Sequence, residues 1–194
     1  LTLDNNSYSQ GATVGIVNIL GFRDVNINKD ITVSNQSVVV VAQRNLTIGS
    51  GANIQGGPAA TTSLQAAGGY LNNTGILTLN GKVIAGTGAL SLISGLDASG
   101  HRTNFTLDSS NYSQGTWVGA TQFVGFGDVF LNTNVASSSG VYITAQRNLT
   151  VGAGTTITAT GEMQLRAAGA NINNVGQLHL NGKIKAGAGN LFLT

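Results

Sequence analysis

The feature that most constrains this chain is a pattern of apolar residues that returns about every 21 residues. The segments "DVNINKDITV", from Asp24, and "NLTIGSGANI", from Asn45, both place apolar residues at steps of 2, 6 and 8 after the first one. Alternation with a period of two predicts short strands whose alternate side chains enter a core. A segment of about 20 residues cannot bury that side alone, so successive segments are predicted to stack at about 4.8 Å per coil as a parallel β-helix.

A second, longer repeat divides the chain into two modules. "TLDNNSYSQG" from Thr2 returns as "TLDSSNYSQG" from Thr106, and "AQRNLT" from Ala42 returns from Ala145. The modules are predicted to span residues 1–93 and 105–194, with residues 94–104, "SGLDASGHRTN", as the linker. The fold class is therefore predicted as all-β, a solenoid of two stacked modules with about eight to ten coils and a length of about 40 Å.

The alternative fold is one antiparallel β-sandwich per module, because many short strands separated by Gly-rich turns also suit that architecture. The 21-residue pattern favours the β-helix, since a sandwich has no reason to repeat at one coil length. Helix is disfavoured because β-branched residues occupy the apolar positions and Gly interrupts nearly every turn.

The second module decides which side of an ambiguous strand faces the core. "SVVVVA" at residues 37–42 could turn either set of valines inward, whereas its counterpart "GVYITA" separates apolar residues from Tyr142 and Thr144. The same logic places Gln164 and Arg166 outside. The side chains predicted to lie inside are Val38, Val40, Ala42, Val141, Ile143, Ala145, Met163, Leu165 and Ala167.

Asparagine is the second recurring signal, and it falls at the turns. Asn tolerates left-handed backbone, and stacked Asn amides can form hydrogen-bonded ladders between coils. The predicted ladder residues are Asn45, Asn72, Asn73, Asn80, Asn148, Asn173, Asn174 and Asn181.

Three phrases resemble the repeats of filamentous haemagglutinin-type adhesins, the exoproteins of two-partner secretion: "AGGYLNNTGILTLNGKVIAGTGALSL", "AAGANINNVGQLHLNGKIKAGAGNLFL" and "QRNLTIGSGANI". The resemblance covers about two thirds of each module. It implies a right-handed β-helix, export through an outer-membrane partner pore, and a stalk that projects from a bacterial surface. No stretch resembles the secretion domain of that family, so the chain is expected to be part of the stalk.

Composition and charge argue against several classes of partner. Only 8% of the residues are charged, against about 25% in ordinary globular domains, and the net charge is +2. No cluster of Lys and Arg matches a phosphate backbone, so no nucleic acid is expected as a partner. No apolar run approaches the roughly 20 residues of a membrane span, so membrane insertion is not expected. The absence of Cys excludes disulfides and thiolate metal sites.

Carboxylates recur once per module, which favours a structural role over catalysis. Acid–base chemistry needs two carboxylates that converge in one cleft, and a pectate-lyase-like enzyme would need clustered Asp for Ca²⁺ beside its Arg or Lys. No acid lies beside Arg44 or Arg147 in the sequence, so the chain is predicted not to be an enzyme. The carboxylates predicted to cap turns are Asp4, Asp108, Asp24 and Asp128.

No metal or cofactor is expected. His101 falls in the linker and His179 at an outward strand position, and neither has a second His or Cys beside it for a metal site. Both are predicted to be surface residues.

Aromatic residues gather in one segment of the second module, where Tyr112, Trp117, Phe123 and Phe126 lie close in sequence. The favoured interpretation is a patch that caps or bridges coils. The alternative is a sugar-stacking platform, because aromatic rings pack on the apolar faces of sugars. Its glycan contacts would be Trp117, Tyr112 and Phe126.

The resulting functional hypothesis is a non-enzymatic stalk or filament segment of a large secreted surface adhesin. The expected partners are further copies of the same repeat, within the chain or side by side, a glycan or protein on a host or neighbouring cell, and, by resemblance, the outer-membrane pore. The second hypothesis is a carbohydrate-binding β-helix module centred on the aromatics of module two.

Overall fold

The chain forms a β-solenoid in which the strands that pair between successive coils do so in parallel. The computed structural model describes residues 1–11, 15–169 and 175–194. Eight coils stack on one another, and coils 2 to 8 each contribute one strand to each of three faces. At about 4.8 Å per coil the stack is about 38 Å long. The parallel pairing excludes the antiparallel sandwich, and the predicted all-β solenoid is confirmed.

The third face is one continuous sheet of eight strands that runs through both modules. Its strands are β2 (Val17–Phe22), β5 (Val38–Ala42), β8 (Thr62–Gln65), β11 (Leu90–Ile93), β14 (Thr121–Phe126), β17 (Val141–Ala145), β20 (Met163–Arg166) and β23 (Leu191–Leu193). The boundary between the modules therefore does not interrupt this sheet.

The first face is divided into two four-stranded sheets. The first sheet contains β1 (Thr2–Leu3), β3 (Val25–Ile27), β6 (Leu46–Ile48) and β9 (Leu77–Leu79). The second contains β12 (Phe105–Leu107), β15 (Val129–Leu131), β18 (Leu149–Val151) and β21 (Leu178–Leu180). The division falls between coils 4 and 5, where the modules meet.

The second face is also divided, but one coil later. Its first sheet contains β4 (Ile31–Thr32), β7 (Asn53–Gln55), β10 (Lys82–Ala85) and β13 (Tyr112–Gln114). Its second sheet contains β16 (Val135–Ser137), β19 (Thr156–Ala159) and β22 (Lys183–Ala186). The junction of the modules is therefore held together by the second and third faces, through β10–β13 and β11–β14.

One aliphatic core runs along the axis, and like positions form vertical columns. Val25 pairs with Leu46, which pairs with Leu77, and all three are buried. Ile27 and Ile48 continue a parallel column. All nine side chains predicted to lie inside on the third face are buried, and the residues between them are half-buried on the outer surface. The period-two pattern thus identifies the core side of the strands.

Irregular backbone is concentrated at glycines and at two alanines. A short 3-10 turn covers Ala67–Gly69, and no helix in the described ranges is long and apolar enough to cross a membrane. Among the described residues, the non-glycine positions with positive φ are Ala67 (56°) and Ala168 (59°), in the "QAAG" and "RAAG" segments. The expectation that Asn occupies left-handed turn positions is therefore wrong for the described Asn residues.

Candidate functional site

In each module, an Asp–Arg ion pair and an adjacent Asn join successive coils at the turn that precedes the first face. We call this arrangement the ion-pair corner. Asp24 Oδ1 accepts a hydrogen bond from Arg44 Nε at 2.8 Å, and Asp24 Oδ2 accepts one from Arg44 Nη2 at 2.5 Å. Asn45 donates from Nδ2 to Asp24 Oδ1 (3.0 Å), and its Oδ1 accepts the Ile76 N–H (3.1 Å). Asp24, Asn45 and Ile76 precede β3, β6 and β9, so the network connects three successive coils.

The same corner recurs in module two with one more member. Arg147 donates to Asp128 from Nε (3.1 Å) and Nη2 (2.7 Å), and Asn148 Nδ2 donates to Asp128 Oδ1 (3.1 Å). The Gln177 N–H donates to Asn148 Oδ1 at 3.0 Å. Asn104 Oδ1 accepts from Arg147 Nη2 at 2.8 Å and from the Asp128 N–H at 3.0 Å, which ties the linker to the corner.

These contacts keep the carboxylates ionised. The hydrogen bonds from Arg44 lower the pKa of Asp24 to about 2, and those from Arg147 lower the pKa of Asp128. A carboxylate held in this way is a poor general acid or base at neutral pH. The prediction that Asp24 and Asp128 cap turns is wrong, because each carboxylate binds an arginine one coil away.

Asp4 and Asp108 do cap turns, as predicted. Asp4 Oδ1 accepts the N–H groups of Asn6 (2.9 Å) and Ser7 (3.0 Å). Asp108 Oδ1 accepts the Ser110 N–H at 2.8 Å. The Asn6 N–H is the main cause of the lowered pKa of Asp4, and the Ser110 hydroxyl is the main cause of the lowered pKa of Asp108.

The described Asn residues do not form the predicted ladder of stacked amides. Asn45 and Asn148 do link coils, but their partners are Asp carboxylates and backbone N–H groups rather than other Asn side chains. Asn173 and Asn174 lie outside the described residues. Asn73 Nδ2 donates at 3.4 Å to Ala67 O within its own loop, and within the described ranges Asn72, Asn80 and Asn181 are exposed without side-chain hydrogen bonds between coils.

Glycine explains why Asn80 has no stacking partner. Gly49 lies in the coil below, and a Cβ at Gly49 would fall 2.1 Å from Asn28 Oδ1. Gly152 takes the same place below Asn181, with Asn132 Oδ1 2.5 Å from its ideal Cβ. Asn and Gly alternate in this column, so consecutive Asn amides cannot meet.

A tyrosine–glutamine pair bridges the interruption of the second face. The Ala136 N–H donates to Gln114 Oε1 at 3.1 Å, and Gln114 Nε2 donates to Ala136 O at 3.2 Å, as the backbone of a paired strand would. The buried Tyr112 hydroxyl donates to Gln114 Oε1 at 2.6 Å. In module one, Gln10 bonds both backbone groups of Thr32 in the same way. The repeated sequence "YSQG", at residues 8–11 and 112–115, supplies this bridge in both modules.

Side chains cap the strand edges where the first face is interrupted. Asn111 Nδ2 donates to Thr106 O (2.7 Å), and its Oδ1 accepts the Asp108 N–H (3.0 Å), so these groups of the β12 edge are occupied. Ser7 does the same for Thr2 O and the Asp4 N–H on β1. On β9, at the other side of the interruption from β12, the Leu77 N–H donates to the buried Ser94 hydroxyl at 3.1 Å. A cleft of about 260 Å³ separates β9 from β12.

Two of the three predicted glycan contacts are wrong, because their rings lie in the core. Tyr112 is 2% exposed and Phe126 is fully buried. Phe126 stacks on Phe105 with ring centroids 4.5 Å apart, and Phe123 is tilted against Phe105 at 6.1 Å. Tyr112, Phe123 and Phe126 therefore lie in the core of coil 5, and the capping or coil-bridging interpretation of the aromatic patch stays a prediction. Trp117 is half-buried, and a glycan contact through it stays a prediction.

A bulge explains why Phe126 points inward. Strict alternation from Phe123 would place Phe126 outside, but the register of β14 against β17 shifts between Val124 and Phe126. Gly125 lies at the shift with φ of 89°, which an L side chain rarely adopts. Gly21 marks the same shift in β2. The glycine before each Phe was the available sequence signal.

A cleft of about 310 Å³ beside the linker is lined by three basic side chains, His101, Arg102 and Arg147. Arg102 Nη1 donates to Gly125 O at 3.2 Å, and burial lowers the pKa of Arg102. Arg147 is held by Asp128. The two guanidinium groups are thus engaged with protein oxygens and support the fold at this corner. His101 and His179 are exposed, as predicted for surface residues.

Residues with metal-ligating side chains are scattered over the molecule. In the part of the chain that the structure describes, no three His, Cys, Asp or Glu side chains converge. Comparison of the chain with protein-family models, with curated proteins and with solved structures gives no match in any of the three.

Proposed function

We propose that this chain is a non-enzymatic stalk or filament segment of a large secreted surface adhesin. The observation that carries the proposal is the continuous eight-stranded third face, with one aliphatic core beneath it, across both modules. A solenoid in which each coil is bonded to its neighbours resists bending, and this is the property that a spacer needs. The resemblance to filamentous haemagglutinin-type repeats supports location at a bacterial surface and export through an outer-membrane pore.

The polar contacts within and between coils are also consistent with a stalk. The ion-pair corners, the glutamine bridges and the strand-edge caps all connect or terminate strands within the stack. Their repetition in each module is what a structural unit requires, whereas a binding site needs only one copy. Low charge on the outer surface suits close lateral packing of such segments.

A distance measurement tests the stiffness on which the stalk depends. Asn18 and Gln122 are exposed, outward-facing equivalents on β2 and β14, four coils apart. Because the chain has no Cys, Asn18→Cys and Gln122→Cys can carry spin labels at unique positions. Stiff stacking predicts one narrow distance distribution for backbones about 19 Å apart. A broad or double distribution would show that the modules hinge, which contradicts a stiff spacer.

Binding and localisation assays test the remainder of the proposal. A spacer holds a binding tip away from the cell, and a glycan or protein partner on a host cell would be contacted by that tip. A glycan array and intact host cells are therefore expected to give no saturable binding by the 194-residue chain itself. Antibodies against the chain should label intact bacteria of the source strain. Specific glycan binding that is lost in Trp117→Ala, with Tyr142→Ala as an outward aromatic control, would favour the carbohydrate-binding alternative instead.

A further inference from the structure

The interruption of the first face leaves one edge of β9 without a neighbouring strand inside the molecule. β9 pairs with β6 on one side, whereas on the other side most Cα atoms of β12 lie more than 8 Å from those of β9, against about 4.8 Å between paired strands. Coils 4 and 5 are paired on the other two faces, through β10–β13 and β11–β14. The gap between β9 and β12 is therefore internal, and a coil added at either end of the stack would not cover it.

Three backbone groups of β9 point into this gap. Across the β6–β9 pair, the Leu46 N–H donates to Ile76 O at 3.0 Å. Alternate residues of a strand bond to alternate neighbours, so the backbone groups of Leu77 and Leu79 point to the edge opposite β6. The Leu77 N–H donates there to the Ser94 hydroxyl at 3.1 Å. In the part of the chain that the structure describes, Leu77 O, the Leu79 N–H and Leu79 O have no hydrogen-bond partner.

Side chains already occupy the edges of β16 and β12 at the two interruptions. In the second face, Gln114 reaches across the gap and bonds both backbone groups of Ala136, at 3.1 and 3.2 Å. In the first face, Asn111 donates to Thr106 O and accepts the Asp108 N–H, so both bonds stay within coil 5. A strand that entered the gap of the first face would therefore bond to β9.

The lining of the gap determines the chemistry of a strand that could enter it. All ten residues that line this cleft of about 260 Å³ have uncharged side chains. Leu79 points inward and is half-buried, whereas Ile48, which pairs with it in the coil before, is fully buried. A charged side chain on the inner side would lose its hydration without gaining a partner. The matching occupant is an extended, uncharged segment with apolar residues inside and polar residues outside.

We propose that this cleft binds such a peptide segment of another polypeptide, which adds to β9 as a parallel strand. Strand addition takes its affinity from main-chain hydrogen bonds and its specificity from alternate side chains. The β6–β9 pair supplies the register, because the added strand continues the same sheet. The peptide residue opposite Thr78 would donate its N–H to Leu77 O and accept the Leu79 N–H on its carbonyl. The N–H two residues later would donate to Leu79 O.

This binding site goes beyond the stalk function, because a spacer works whether or not a peptide occupies the cleft. A chain that binds no peptide would still satisfy the distance and surface-labelling tests of the stalk. Modules that hinge would refute the stiff spacer without removing the open edge of β9.

Titration of a peptide into the ¹⁵N-labelled chain of 194 residues tests the site. The probe is acetyl-NLTIGS-amide, which has the sequence of residues 45–50 and would place its Leu and Ile inside and its Thr opposite Thr78. The amide signals of residues 77–80 should shift saturably, with a Kd between about 10 µM and about 1 mM. The same peptide with Asp in place of Leu and Ile should bind at least about 10-fold more weakly.

Two methylated peptides separate strand addition from a loose apolar contact. Methylation of the Thr nitrogen removes the N–H that faces Leu77 O and should weaken binding at least about 10-fold. Methylation of the Ile nitrogen removes an N–H that faces away from β9 and should weaken binding less than about threefold. In an antiparallel strand the N–H groups of the inner residues face the edge, so the two effects would be exchanged.

A pair of variant chains tests the same contact from the protein side. Leu79→Pro removes the Leu79 N–H, and Pro is tolerated on a strand whose N–H faces an open edge. Leu79→Ala keeps the N–H and is the control for lost packing, so the Pro variant should bind the probe at least about 10-fold more weakly than the Ala variant. If Leu79→Pro fails to fold, the methylated peptides still decide the question with the unaltered chain. No saturable shift at residues 77–80, shifts confined to the strands at the ends of the stack, or equal or exchanged effects of the two methyl groups would each overturn the proposal.

Discussion

Replacement of Gln114 by leucine tests whether the side chain substitutes for a missing strand. The change keeps the approximate size of the residue and removes both polar groups. The Ala136 N–H and the Tyr112 hydroxyl lose their acceptor, while Ala136 O keeps the Val118 N–H at 2.8 Å. Each lost hydrogen bond costs about 1 kcal/mol, and the buried Tyr112 hydroxyl adds the cost of an unsatisfied polar group, so Gln114→Leu should lower the free energy of unfolding by about 2–4 kcal/mol.

A double-mutant cycle isolates the part of that loss that comes from the hydroxyl. Tyr112→Phe alone should cost about 1 kcal/mol, but in the Gln114→Leu background it should cost nothing or stabilise, since it removes the unsatisfied group. Urea denaturation followed by far-UV circular dichroism measures all four chains. Gln10→Leu is the matched control, because the half-buried Tyr8 can bond water and the loss should be about 1 kcal/mol or less. A coupling energy below about 0.3 kcal/mol between positions 112 and 114 would refute the reasoning.

Two further predictions concern the ion-pair corner and the close approach of coils. The pKa of Asp24 is about 2 in the folded chain, below its unfolded value of about 3.9, so its stabilisation is complete above about pH 4 and is lost as the pH falls towards 2. The difference in unfolding free energy between the unaltered chain and Asp24→Asn should be constant above about pH 5 and shrink below pH 4 in urea titrations, whereas a difference that persists to pH 2 would contradict the pairing. A Cβ at Gly88 would lie 2.0 Å from Ala60 O, so Gly88→Ala should lower the free energy of unfolding by about 2–3 kcal/mol in the same assay. Gly115→Ala is the control, because no atom lies within 4 Å of its Cβ, and it should change the free energy of unfolding by less than about 0.5 kcal/mol. Equal losses in the two variants would exclude steric contact as the cause.

The core could be predicted from sequence because its signal is local. Val25, Leu46 and Leu77 each stand at the same place in a period-two pattern, and a strand has only two sides to choose between. Where alternation is broken the prediction fails, as at Phe126, which a single bulged glycine turns from the outer side to the core. A period-two pattern assumes that each residue changes the side of the strand. A bulge adds one residue without that change, so the residues after it lie on the side opposite to the one that the pattern predicts.

The polar sites could not be predicted in the same way because their partners come from different coils. Arg44 has no acid beside it in the sequence, yet Asp24 lies one coil away and 20 residues earlier. The Asn ladder fails for a related reason. Asn45 and Asn148 recur at the spacing of the modules, four coils apart, and a ladder needs recurrence in consecutive coils.

These polar contacts account for the repeat of 104 residues, which spans four coils of unequal length (21 residues from Val25 to Leu46 and 31 from Leu46 to Leu77). A solenoid held only by apolar columns would need no unit longer than one coil. In this chain the edge cap at Asn111, the bridge at Gln114 and the bulge at Gly125 all fall in coil 5, and their equivalents Ser7, Gln10 and Gly21 fall in coil 1. Each interruption of a sheet requires side chains that replace the missing strand, and those side chains are needed once every four coils. The longer repeat therefore follows the interruptions of the sheets, which recur every four coils. The shorter repeat follows the core positions, which recur in every coil.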